Sequence, residues 1–131
     1  MSSYFLMDTH ALVFWQNKEE MDDSVIEFLD DQAAGGNVFV SPISFWELSL
    51  LVKKGRIALD NISRWKEDIL NFSGVLILNP DIDDMIASVH LPDHHKDPFD
   101  RLLVVQAIRH GAFLVSRDES LRKYPVKLYW G

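Results

Sequence analysis

The sequence predicts an α/β fold: a three-layer sandwich whose central, mostly parallel sheet of about five strands carries helices on both faces. Three observations predict it. Short apolar runs recur at residues 4–7, 38–40, 75–78 and 113–116, each bounded by turn or cap residues. The segments between them carry apolar residues at helical spacing behind N-cap signals. A chain of 131 residues with 47% hydrophobic content suits one core rather than two. Strands alternating with helices form a parallel sheet, because each crossover helix lays its apolar face back on the sheet.

Taken in order, residues 4–7 are a first strand and 9–15 a short helix. Asp22, Asp23 and Ser24 offer caps for a helix carrying Val25, Ile26, Phe28 and Leu29, which Gly35-Gly36 stops. Residues 38–40 are the second strand. Ser41-Pro42, a cap followed by Pro at the first helical position, opens a strongly apolar helix that ends near Gly55. Ile62, Trp65, Ile69 and Phe72 share one face of a helix over 61–72. Residues 75–78 are the third strand, and Pro80-Asp81 opens the next helix. After a loop broken by Pro92, Asp97-Pro98 starts a helix running to His110. Residues 113–116 are the fourth strand, 119–123 a helical turn, and 127–130 a fifth, edge strand. No repeat, linker or low-complexity segment divides the chain, so residues 1–131 are expected to form one domain.

Composition narrows the function. With no Cys there is neither a disulfide framework nor a thiolate metal site. The first residues lack the basic and long apolar regions of a signal peptide, and no apolar run approaches the ~20 residues needed to span a bilayer. A cytoplasmic protein without membrane contact is expected. The net charge of −7 argues against nonspecific nucleic-acid binding, although many acids crowd residues 19–31 and basic residues cluster at Lys53-Lys54-Gly55-Arg56 and Arg122-Lys123.

Four acids sit where elements begin or end: Asp8 past the first strand, Glu47 in the second turn of the helix after strand two, Asp100 in the first turn of a late helix, and Asp118 past the fourth strand. Sites in open parallel sheets form beyond the carboxyl ends of the strands, so all four can meet at one edge. Each also has a plain structural reading. Asp8 and Asp118 can end a strand or cap a helix, Asp100 suits the positive end of a helix dipole, and Glu47 can be solvated. Asp97 in Asp-Pro reads first as an N-cap. Gathered together, the four acids would repel one another and raise each other's pKa values unless a cation joined them. Carboxylates favour magnesium or manganese, which can furnish a nucleophilic water and neutralise phosphate charge. No Ser-His-Asp or Cys-His arrangement and no glycine-rich phosphate loop competes with this reading. His90, His94 and His95 suggest a histidine metal site only weakly, because Pro92 breaks any helical register between the first two; His94, His95 and Lys96 are alternatively contacts for a phosphate backbone. Phe14, Trp15, Phe45, Trp46 and Trp65 read as core, or as a dimer or partner surface where exposed.

Leu6-Met7-Asp8-Thr9-His10, Ser41-Pro42-Ile43-Ser44-Phe45-Trp46-Glu47-Leu48, Asp97-Pro98-Phe99-Asp100-Arg101-Leu102-Leu103 and Val115-Ser116-Arg117-Asp118 occur in that order. The set resembles the PIN-domain ribonucleases, in particular the VapC-like toxins of bacterial toxin–antitoxin systems, over nearly the whole chain. The resemblance implies a PIN-like sandwich and a Mg2+- or Mn2+-dependent endoribonuclease acting on RNA. It also implies a homodimer and a cognate antitoxin that covers the site, often with an Arg near the acids. It implies that Asp8, Glu47, Asp100 and Asp118 hold metal directly or through water. Thr9 would orient Asp8 or a water, Ser116 would act similarly near Asp118, and Asp97 would support the site beside its capping role. Apart from the resemblance, Arg101 can pair with an acid or hold a phosphate, or be simply solvated or salt-bridged.

Two other classes remain open at this level. An aspartate-based phosphatase also uses an Asp after strand one, but wants a second Asp where His10 stands. A receiver-type domain wants an acidic pair near the first strand and a late Lys; neither is clear. A noncatalytic module that has kept the fold is the other class.

Overall fold

The computed structural model describes residues 3–131. Strand β1 (Phe5–Met7) leads into helices α1 (Thr9–Asn17) and α2 (Asp23–Ala34). Strand β2 (Val38–Val40) is followed by α3 (Pro42–Lys53) and α4 (Ile62–Phe72). Strand β3 (Leu76–Ile77) precedes α5 (Ile82–His90) and α6 (Pro98–Arg109). Strand β4 (Phe113–Val115), a 3₁₀ turn (Glu119–Lys123) and strand β5 (Lys127–Tyr129) complete the chain. The five strands form one sheet in the order β3-β2-β1-β4-β5. Every pairing is parallel, so the expected mostly parallel sheet is parallel throughout. A receiver-type sheet runs 2-1-3-4-5, so the order separates this chain from that class.

Strand alternation divides the core. Phe5, Met7, Val38, Val40 and Val115 face α1, α2 and α4, where Leu12, Trp15, Ile26, Leu29 and Ile69 are buried. Leu6 and Leu114 face the opposite side, with Leu103, Val104 and Ala107 of α6 and Leu121 and Tyr124 beyond β4. Strands β1, β2 and β4 are therefore apolar on both faces, as a doubly covered parallel sheet requires. Helix α5 packs on α6 and is fastened there by charge. Asp81 and Asp84 close a capping box at the α5 N-terminus, and Arg109 at the end of α6 pairs with both. Gly74, between α4 and β3, has φ +87°, and a Cβ there would lie 2.7 Å from the Ala33 carbonyl oxygen; only glycine fits.

The third strand is shorter than expected. Val75 is buried, but Leu76 and Ile77, the two residues that pair with β2, are half exposed on the sheet edge. Trp46 takes the exposed alternative rather than the core one. Helix α3 is apolar almost all round and cannot bury every face, so Trp46 stays 63% exposed, its ring edge-on to Phe99 of α6 at 5.0 Å. Trp15 is buried as expected, while Phe14, Phe45 and Trp65 are partly so. No helix among the described residues is long and apolar enough to cross a membrane.

Candidate metal centre

The strand order locates the site. From β1 the chain builds outward through β2 and β3, then returns to place β4 on the other flank of β1. The sheet therefore changes direction between β1 and β4, and a crevice opens past their carboxyl ends. Asp8 and Asp118 stand at that crevice. The Asp8 N–H donates to the Val115 carbonyl (3.1 Å), continuing the β1–β4 pairing by one residue. Asp8 then caps α1, its Oδ1 accepting from the Ala11 N–H at 2.7 Å. Asp118 caps the 3₁₀ turn, accepting from the Ser120 N–H (3.0 Å) and hydroxyl (2.6 Å). The buried Ser116 hydroxyl accepts from the Asp118 N–H at 3.1 Å and, beside Asp8, favours that carboxylate's charged form.

Helices bring the other acids. Asp97 caps α6, accepting from Phe99 N–H (2.8 Å) and Asp100 N–H (3.4 Å), which sets Asp100 in the first turn with the helix dipole behind it. Glu47 is buried on α3 and accepts a 2.6 Å hydrogen bond from the Thr9 hydroxyl. Thr9 was expected to orient Asp8 or a water; its hydroxyl donates to Glu47, because as the first residue of α1 it faces the neighbouring α3. Asp8, Asp100, Ser116 and Asp118 line one cleft of about 470 Å³, with His10, Phe14 and Trp130 on its walls.

Electrostatics binds the four acids into one group. Burial raises the pKa of Asp8, and the Asp118 charge adds to it. Burial likewise raises Glu47, with Asp97 and Asp8 contributing. Asp100 is pushed up to about 7 by burial, then by Asp97, Asp8 and Glu47, against the lowering effect of its bond to His95. Such a cluster is short of positive charge. Arg101 is turned away, and Arg117 is paired with Glu20. The donor set therefore fits a hard divalent cation, which would remove the mutual repulsion of the carboxylates.

One residue of the cluster was underweighted in the sequence. His95 Nε2 lies 2.8 Å from Asp100 Oδ2, and His95, Asp100 and Asp118 each present a donor atom within 4.8 Å of the others. The three clustered histidines do not act together. His94 packs against the Tyr124 ring and His90 bonds the Ile86 carbonyl on its own helix. The signal for His95 was its position five residues before Asp100, across the Asp97-Pro98 cap, rather than any histidine spacing.

Arg101 neither holds a carboxylate of the cleft nor faces its open side. Its buried guanidinium donates to the carbonyls of Ser88, Val89, Leu91, Pro92 and His95 and to the Tyr124 hydroxyl. It fastens the α5–α6 loop and so fixes the backbone that carries His95. Arg101→Met should leave these carbonyls unpaired and destabilise the fold by roughly 3–5 kcal/mol, seen as a fall in Tm of ten degrees or more. Thr9→Val removes the only hydroxyl bonded to Glu47 among the described residues and leaves a buried carboxylate unsatisfied. The Glu47 pKa should rise further, with a loss of ~1–3 kcal/mol in folding free energy at pH 8, measured by denaturant titration.

Comparison with known proteins agrees with this geometry. The PIN domain family pattern matches residues 5–127. The chain belongs to the PIN-domain family. A relative of this PIN domain, Ribonuclease VapC22 of Mycobacterium tuberculosis, is 30% identical over 125 residues, covering 91% of this chain and 90% of that protein. Among solved structures, VapBC2 from Rickettsia felis, bound to a DNA fragment from its promoter, superposes with a TM-score of 0.72. The identity there is 20%, over 96% of this chain and 97% of that one. DNA-bound VapBC from Salmonella typhimurium gives 0.70 at 17% identity over 99% and 100%. At these identities the structural matches establish the fold.

Proposed function

We propose that this PIN domain is a Mg2+- or Mn2+-dependent endoribonuclease, hydrolysing RNA phosphodiester bonds as the toxin of a toxin–antitoxin pair in the cytoplasm, and that residues 1–131 form one such domain. The observation that carries the reading is the meeting of Asp8, Asp100 and Asp118 in one cleft at the β1–β4 crevice, with Glu47 close enough for its charge to raise the Asp100 pKa. Membership of the family and the likeness to a protein named Ribonuclease VapC22 support the substrate class.

Asp8, Asp100 and Asp118 are the residues that would hold the ion, with Glu47 acting directly or through water. When bound, it would supply a water of lowered pKa and offset charge on the phosphate. The chain's own residues prepare that site. Thr9 holds Glu47, Ser116 and the Ala11 N–H favour the charged form of Asp8 against its burial, Asp97 places Asp100, and Arg101 fixes the loop that brings His95 to Asp100. The antitoxin partner would be expected to offer a basic side chain to this acidic cleft. The test is cleavage of single-stranded RNA by the purified chain, present with Mg2+ or Mn2+ and absent with chelator and in Asp8→Asn. Expression without a partner should arrest growth, and expression of Asp8→Asn should not.

A homodimer is part of the same reading. Ile82, Met85, Ile86 and Val89 of α5 are all exposed, from 49% to 76%, and fall on successive turns of one short helix. A contiguous apolar stripe of this kind suits a two-fold partner presenting the same stripe. Ile86→Lys should convert the dimer to monomer in sedimentation or size-exclusion measurements at micromolar concentration.

A further inference from the structure

A second cleft, of about 630 Å³, adjoins the acidic one and shares His10, Phe14 and Arg117 with it. Its lining continues to Arg56, in the turn after α3. The two clefts thus form one groove that starts at the carboxylates and runs toward exposed arginines, on a chain whose net charge is −7. The Arg117 guanidinium lies 4.5 Å from the centre of the Phe14 ring and is 52% exposed. Phe14 in turn has His10 and Trp130 as ring neighbours, each at 6.2 Å. A planar cation held on an aromatic face, a second arginine further along and a row of rings are what a single-stranded nucleic acid needs for its phosphates and unpaired bases. Arg117 also pairs with Glu20 (3.2 Å), which stands in the α1–α2 loop with φ +53°.

We propose that this groove is the track for the RNA strand flanking the scissile phosphate. Arg117 and Arg56 receive phosphates of neighbouring nucleotides, and Phe14 and Trp130 receive bases. Glu20 competes with RNA for Arg117, so it weakens binding. The proposal rests on the ribonuclease reading for its substrate, but its residues lie outside the carboxylate cluster. Stacking and phosphate contacts of this kind tolerate any sequence, so the track supplies affinity and direction rather than base choice.

The experiment is fluorescence anisotropy of a short labelled single-stranded RNA with the full chain in the Asp8→Asn background, over a range of KCl. Arg56→Ala and Arg117→Ala should each weaken binding about 3- to 10-fold and flatten the slope of log affinity against log salt by roughly 0.7. Glu20→Gln should strengthen binding. Because Arg117 neighbours Asp118, Mn2+ binding is measured in Arg117→Ala with Asp8 intact; it should be unchanged. Equal affinity and slope in both arginine variants would overturn the track. So would loss of binding to a polyglutamate peptide without loss of RNA binding, which would make the groove a protein-docking surface. RNA cleavage with unchanged groove variants removes the track and keeps the ribonuclease; no cleavage by wild type, with arginine-dependent RNA binding, does the reverse.

Discussion

Asp8→Asn is expected to lower metal-dependent RNA cleavage by about a thousandfold or more while leaving the fold intact. The two halves of that expectation have separate causes. Asn is as good an N-cap as Asp, and its amide oxygen can accept the Ala11 N–H that Asp8 Oδ1 accepts at 2.7 Å, so α1 keeps its start. The charge is what disappears, from the crevice between β1 and β4 where Asp8 faces Asp100 and Asp118 across one cleft. Losing several kcal/mol of charge stabilisation at the reacting phosphate corresponds to that factor in rate. Single-turnover cleavage of a labelled RNA measures it, alongside circular dichroism to show that the helices remain. Equal rates in the two proteins would point to a contaminating nuclease.

The second large effect is on stability, and its sign opposes intuition. Asp100→Asn should stabilise the metal-free protein at pH 8, by on the order of 2–4 kcal/mol, because it removes a carboxylate that the fold disfavours. The Asp100 pKa is raised from 3.8 to about 7, first by burial and then by Asp97, Asp8 and Glu47. Below pH 3.8 the group is protonated folded or unfolded, and its favourable contribution is fully present. As the pH rises toward 7 the unfolded chain has released the proton and the folded chain still holds it, so the contribution shrinks, and above 7 it is gone. The Tm advantage of Asp100→Asn over wild type should therefore grow between pH 5 and pH 8. Asp8 and Glu47, also raised by burial, shift in the same direction. Millimolar Mg2+ or Mn2+ should reverse the order at pH 8, since wild type gains binding free energy that the variant loses. A Tm advantage that ignores pH, or that persists unchanged with metal, would contradict the electrostatic account.

Both effects concern residues that were legible in the sequence, for a local reason. Asp8, Asp97 and Asp118 each follow an apolar run or precede a helix, and a capping acid announces itself by that position. Glu47 was legible as an acid within an apolar helix, which requires a partner once buried. The helices follow the same logic: Asn61, Asp81 and Asp97 cap them with side-chain bonds where the sequence places caps. Ser41 shows the limit of such signals, since it opens α3 without a side-chain cap bond.

What was not legible depends on contacts between segments far apart in the chain. The order β3-β2-β1-β4-β5 decides that Asp8 and Asp118 share a crevice, yet nothing local to β1 states that β4 lies beside it. Thr9 was read toward its neighbour Asp8 or a water, and its hydroxyl crosses to Glu47, 38 residues on. Arg101 was weighed for an acid, a phosphate or a salt bridge; it lies 3.6 Å from Asp93 and donates to five carbonyls of the last turn of α5 and the α5–α6 loop, an arrangement set by how that loop curls. His95 reaches Asp100 through that same curl. Trp46 is exposed because α3 has more apolar surface than the sheet can cover.

The central claim is that these acids hold a divalent cation, and crystals soaked in Mn2+ test it most directly. The account predicts an anomalous peak in the crevice, about 2.0–2.3 Å from carboxylate oxygens drawn from Asp8, Asp100 and Asp118. A peak elsewhere that touches none of the three, or no peak at millimolar Mn2+, would contradict it.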